Sequence, residues 1–170
     1  MTELSKYIRT INDFPKPGIG FKDITTLTRD HHGFKLSIDL MMEKLSNIDV
    51  DLILGIESRG FIFGAALADR LGVGLDLIRK KGKLPFDTII REHDLEYGRG
   101  ALEIHIDSVK KGERVLIIDD VLATGGTAEA AAELVEELGG DIVGLGFLLE
   151  LPLGGREKLQ KYNVQSLISY

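Results

Sequence analysis

The chain has 170 residues, 44% of them apolar and 28% charged, which is enough hydrophobic material for one buried core and too much for a disordered chain. Acidic side chains outnumber Lys plus Arg by 27 to 21, giving a net charge of −6 that argues against a protein held to nucleic acid by bulk charge. The lack of cysteine removes disulfides, thiolate nucleophiles and Cys-ligated zinc, and Glu3, Lys6 and Arg9 interrupt the N-terminal apolar residues, so a cytoplasmic protein with no membrane partner is expected.

In chain order, Leu4, Tyr7, Ile8 and Ile11 have the spacing of one helical stripe and predict a short first helix that stops at Asn12-Asp13-Phe14-Pro15. Pro15 to Phe21 holds two prolines and two glycines and must be a shaped loop. Phe34, Ile38, Met41 and Leu45 mark a second amphipathic helix. Short apolar runs then alternate with helices. Leu52-Ile53-Leu54 precedes a helix carrying Gly64, Leu67, Ala68 and Leu71, and the run Val73 to Ile78 follows. Val115 to Ile118 precedes a helix with Ala131, Leu134, Val135 and Leu138 on one face, Gly139-Gly140 as its stop, and the run Ile142 to Leu149. This alternation predicts an α/β fold with a central, mainly parallel sheet flanked by helices, in a single domain over 1–170. Residues 79–105 are polar and weakly periodic, long for a connection, and form a candidate lid. His31, His32, His93 and His105 show no metal-ligand spacing.

The chemistry concentrates at Val115 to Thr127. Four β-favouring residues deliver Asp119 and Asp120 to the carboxyl end of a strand, where open α/β sheets bind their ligands. Ala123, Thr124, Gly125, Gly126 and Thr127 follow as a small-residue turn opening a helix, so backbone N–H groups and the helix dipole converge on an anion such as a phosphate. An Asp pair often merely ends a strand and caps a helix; beside a phosphate cradle, two carboxylates make sense if they hold sugar hydroxyls and a Mg²⁺. The combination suggests a phosphorylated sugar. No Gly-x-x-x-x-Gly-Lys-[Ser/Thr] occurs, and no Gly-x-Gly pair has the third glycine of a dinucleotide fingerprint.

The stretch resembles the signature of the type I phosphoribosyltransferases, which use phosphoribosyl pyrophosphate (PRPP). Phe14 to Ile24, Glu57 to Phe61, Arg79 to Pro85, Leu95 to Gly98 and Gly155 to Leu159 are similar, in a consistent order, to the adenine-using branch of that family. The resemblance implies a type I phosphoribosyltransferase fold with an N-terminal base hood over about residues 1–33 and a flexible catalytic loop over about 79–105. It implies PRPP and adenine as substrates, Mg²⁺ bound with PRPP near Asp119 and Asp120, AMP and pyrophosphate as products, and a homodimer. Another purine, or a non-catalytic nucleotide sensor, is the alternative. By the same likeness, Glu57, Ser58, Arg59 and Gly60 bind pyrophosphate through backbone amides and a guanidinium, with a cis peptide between Glu57 and Ser58. Arg79, Lys80 and Lys83 add contacts to the diphosphate, and Glu96 and Tyr97 descend on the substrates, Glu96 managing the proton of the purine. Phe21 stacks on the base beside Lys22, with Val121 on the ring's other side.

Overall fold

A computed structural model describes residues 3–95 and 98–170. The expected first helix is shorter than its spacing suggests: a single 3-10 turn, Glu3–Tyr7, gives way to strand β1 (Arg9–Ile11), paired antiparallel with β2 (Phe21–Asp23) so that Ile11 faces Phe21. Leu4 and Ile8 are buried, but Ile11, which a helix would have hidden, is 37% exposed. One short isolated helical turn is marginal, and pairing with β2 gives the β-branched Thr10 and Ile11 a better backbone partner. The loop between these strands is shaped as anticipated. Phe14–Pro15 is cis, Asp13 takes a left-handed φ of 58°, and its carboxylate accepts from the Gly18 N–H at 2.7 Å.

Asp23 anchors this hood to the body. Its carboxylate pairs with the Arg9 guanidinium and accepts from the Thr25 N–H at 2.9 Å and the Thr25 hydroxyl at 2.7 Å, just before α1 (Thr25–Arg29). The next helix, α2 (His31–Leu45), starts where Asp30 accepts from the Gly33 N–H at 2.8 Å, an N-cap that fixes its first turn. It is the second helix read from the sequence.

The α/β alternation then unfolds as expected: β3 (Leu52–Ile56), α3 (Gly60–Leu71), β4 (Gly74–Lys80), β5 (Thr88–Leu95), β6 (Gly98–His105), β7 (Arg114–Leu122), α4 (Gly126–Leu138), β8 (Asp141–Glu150), a short α5 (Gly155–Lys158) and β9 (Val164–Ser169). The described residues build a seven-stranded sheet in the order β5-β6-β4-β3-β7-β8-β9, parallel from β4 to β9 and antiparallel at β5 and β6. Side chains alternate across it. Val115 and Ile117 of β7 pack with α4, whereas Leu116 and Ile118 join α2 and α3 on the other face. Each such fully buried aliphatic contributes roughly 1.5–3 kcal/mol, so the centre of the sheet is the rigid base on which the site stands.

One element departs from the sequence reading. Residues 79–105 are polar and without helical period, yet most of them are strand: β5 and β6 form a continuous antiparallel hairpin, from Thr88 opposite His105 to Leu95 opposite Gly98, and the base of β6 pairs with the end of β4. Half-exposed antiparallel strands accept polar side chains on their outer face, which hides them from a search for buried runs. Among the described residues no helix is long and apolar enough to cross a membrane.

Candidate active site

The chain leaves β3 for its neighbour β4 on one side and β7 for its neighbour β8 on the other, so the carboxyl ends of β3 and β7 are the point where the crossovers diverge. A cleft of about 630 Å³ opens there, between the loops after these strands and the N-terminal hood. Its wall brings together Phe21, Lys22, Glu57, Ser58, Arg59, Lys80, Asp119, Asp120, Val121, Ala123 and Thr124, all singled out in the sequence, with Phe14, Pro15, Ile19 and Gly20 from the same Phe14 to Ile24 segment and Leu151 beside them.

At the floor, Asp119 and Asp120 lie within β7, which runs on to Leu122. Asp120 is only 4% exposed. The Asp119 carboxylate accepts the backbone N–H of Asp120 at 2.8 Å. Burial pushes the Asp119 carboxyl well above the usual carboxylate range, and the neighbouring charge of Asp120 pushes it further. Asp120 is also raised by burial, against the pull of Arg59, whose Nε lies 2.7 Å from Oδ2. The pair therefore resists carrying two negative charges in this state. Arg59 also sets its guanidinium over the Phe21 ring, 5.6 Å from the centroid, so one side chain links the acidic floor to the aromatic hood.

The loop after β3 has the cis Glu57–Ser58 peptide. Glu57 accepts from the Lys80 N–H at 2.9 Å and from Arg79 Nε at 3.2 Å. Burial opposes its charge, but these donors hold its carboxyl below the ordinary range. Arg79 thus turns to Glu57 and to the Lys83 carbonyl, at 3.2 Å, rather than to the cleft wall. Lys83 is held through its backbone: its N–H and that of Leu84 both donate to the buried Glu103 at 2.7 Å. Lys80 alone of the three basic candidates lines the cleft. Gly60 lies behind it, against the backbone of β7.

Beyond the aspartates, α4 opens at Gly126 from a left-handed Gly125 (φ 83°) with no side-chain cap among the described residues, and a helix start of this kind leaves its first-turn N–H groups to an anion. Thr124 lines the main cleft and, with Gly126, a second hollow; the hydroxyl of Thr127 lies on His93 of β5. The turn has a buttress that sequence reasoning did not assign. Gly155, at the start of α5, fits so closely behind the Ala123 carbonyl and Leu122 that any Cβ there would collide with both, and Gly125 touches its backbone in turn. The paired glycines of Gly154-Gly155 were the available signal. Glu96 and Tyr97 lie outside the described residues. No cluster of three or more His, Cys, Asp or Glu able to hold a metal alone occurs among the described residues.

A parallel sheet whose central strands bring paired acids, a cis-peptide loop and a small-residue turn to one cleft is the frame of a transferase acting on sugar phosphates, and the chain belongs to the phosphoribosyl transferase family, whose domain matches residues 23–169. Its architecture is the type I phosphoribosyltransferase fold. Within the family the chain is similar to adenine phosphoribosyltransferases. That of Clostridium botulinum (strain Eklund 17B / Type B) is 57% identical over 99% of this chain and 98% of that protein. The crystal structure of the Thermoanaerobacter pseudethanolicus enzyme is 52% identical, with a TM-score of 0.95 over 99% of this chain and 98% of that one. The Saccharomyces cerevisiae enzyme, complexed with an imino-altritol bisphosphate and adenine, is 38% identical, with a TM-score of 0.87 over 98% of this chain and 96% of that one.

Proposed function

We infer that this protein transfers the 5-phosphoribosyl group of PRPP to N9 of adenine, releasing AMP and pyrophosphate, a purine-salvage reaction. The observation that carries the reading is the convergence of the paired acids, the Ala123-Thr124 turn that leads into α4 and the aromatic hood on one cleft at the β3/β7 divergence. The C1′–O bond to pyrophosphate breaks, its electron pair leaves with the diphosphate, N9 donates the new pair to C1′, and the purine gives up one proton.

Because C1′ gains positive charge as the diphosphate departs, the site must favour separated charges and exclude water. Asp119 and Asp120 take the ribose hydroxyls and lie beside the electron-poor sugar. The Ala123 to Thr127 turn holds the 5′-phosphate through N–H groups and the α4 dipole. Ser58, Arg59 and Lys80 face the diphosphate, with Gly60 packed on β7 behind them and the Arg79 and Lys83 segment further back; Arg59 must exchange its ion pair with Asp120 for the leaving group. Phe21 and Val121 sandwich the base, and Lys22 borders it. The donor set suits Mg²⁺ brought in with PRPP: Mg²⁺ takes one or two carboxylates plus substrate phosphates, and the buried Asp120 carboxylate, whose Oδ2 is met by the Arg59 guanidinium, lies beside Asp119 on the cleft wall. When bound, the ion would neutralise the diphosphate. The β5–β6 hairpin is the closing element, and we assign the purine proton to Glu96, to be checked by a loss of turnover in Glu96→Gln. A cytoplasmic homodimer is part of this reading.

The test is AMP and pyrophosphate formation by purified protein given adenine, PRPP and Mg²⁺, with hypoxanthine and guanine as competitors. Absence of pyrophosphate release with adenine overturns the reading; a preference for another purine overturns the base assignment alone.

A further inference from the structure

The second hollow, about 390 Å³, lies between the β5–β6 hairpin and the start of α4. There His93 Nε2 stands 3.3 Å from the Thr127 hydroxyl, one residue into α4, and the Nδ1 side of the ring is buried. The hairpin backbone also rests directly on the turn: a Cβ on Gly126 would strike the Asp94 carbonyl. The hairpin therefore touches the helix start at two adjacent residues, and only one of these contacts is made by a side chain able to change its hydrogen-bonding role.

We propose that His93 is a positioning residue that couples docking of the hairpin to occupancy of the 5′-phosphate turn by setting the direction of the Thr127 hydroxyl. The proposal rests on the assignment of that turn to the phosphate of PRPP. Neutral imidazole with its free lone pair on Nε2 accepts the Thr127 O–H and draws it away from the turn; with a proton on Nε2 it donates to Thr127 Oγ1 and leaves the hydroxyl proton for a phosphate oxygen. A phosphate in the turn favours the second arrangement, and the second arrangement holds the hairpin down.

The charges around the ring bear on this. Its own strand supplies Arg91, Glu92 and Asp94, α4 supplies Glu129 and Glu133, and α5 supplies Lys158. Most of these are spoken for: Lys158 pairs with Glu129 at 3.1 Å, Arg91 with Glu133 at 3.2 Å, and Arg99 of β6 lies 3.6 Å from Asp94. Burial lowers the His93 pKa, and the Arg91 backbone carbonyl and the Asp94 charge oppose it.

The experiment compares His93→Phe, His93→Gln, Thr127→Val and the His93→Phe/Thr127→Val double variant, reading KM for PRPP, KM for adenine and kcat from pH 5.5 to 8.5. His93→Phe should raise the PRPP KM about threefold to tenfold, the worth of one hydrogen bond, with the adenine KM unchanged. His93→Gln, which keeps a polar group near the Nε2 position, should recover most of this. The ratio of wild-type to His93→Phe values should vary with pH below about 6.5, where the unperturbed imidazole titrates, whereas the His93→Gln ratio stays flat. In the double variant the His93 effect should vanish. A full, additive loss there, or an equal loss in Phe and Gln without pH dependence, overturns the proposal. If Thr127→Val itself leaves the PRPP KM untouched, the turn is not the phosphate site, and it is that assignment which fails.

Discussion

Gly60 offers the sharpest test of how the loop after β3 is held. It is the first residue of α3, and a Cβ built there would stand 2.6 Å from the Ile118 carbonyl oxygen and 3.1 Å from both Cα and Oδ1 of Asp119. Ordinary contact begins near 3.4 Å, so loop and β7 must part by roughly 0.8 Å, and both neighbours are backbone of the sheet centre. Overpacking of this kind costs about 1–3 kcal/mol, offset by less than about 1 kcal/mol of helix propensity, and moves the melting midpoint of a chain this size down by roughly 2–8 °C. Because the displaced residues adjoin Arg59 and Asp119, kcat/KM for PRPP should fall about 10–100-fold. Gly64→Ala is the internal control: its Cβ meets the Leu75 Cδ1 at 3.3 Å and the Ile53 Cγ2 at 3.5 Å, and Leu75 is partly exposed and can turn aside. That variant should be neutral or slightly more stable, since alanine is favoured over glycine inside a helix by about 1 kcal/mol. Thermal melts and steady-state kinetics on both decide the matter. A Gly60→Ala protein with the parent's midpoint and kcat/KM would refute the reasoning.

Three further outcomes are expected. The Asp23 carboxyl is held down to about 2 by the Arg9 guanidinium first and then the Thr25 donors, so it stabilises the fold above about pH 4 and loses that contribution as pH falls through about 2. With Arg9 half in solvent the effect is on the order of 1–2 kcal/mol, seen as a gap between parent and Asp23→Asn in urea unfolding that closes as the medium is acidified. Phe21→Ala should raise the adenine KM by about tenfold while leaving that for PRPP within about twofold, measured in the forward assay. Gly155→Ala, by pressing on the Ala123 carbonyl, should do the reverse and weaken PRPP selectively, which isothermal titration with PRPP and Mg²⁺ would register.

The local signals that the sequence carried were those with a strong period or a strict backbone demand. The runs at Leu52 and Val115, the helical stripes of α2, α3 and α4, and the Gly139 stop reflect burial that each segment must satisfy wherever its neighbours lie, and Asp119-Asp120 with the small residues behind them mark a candidate site by composition alone. What neighbours decide was not legible. Leu4 to Ile11 has helical spacing, but pairing with Phe21–Asp23 turned its last three residues into strand; residues 79–105 have no buried period because hairpin edges are half wet. Arg79 turning to Glu57, Arg59 bridging Asp120 and Phe21, Gly155 wedged behind Ala123 and His93 against Thr127 join residues 22, 61, 38, 32 and 34 positions apart. Such distant contacts depend on strand order and helix placement, and chain spacing does not encode them.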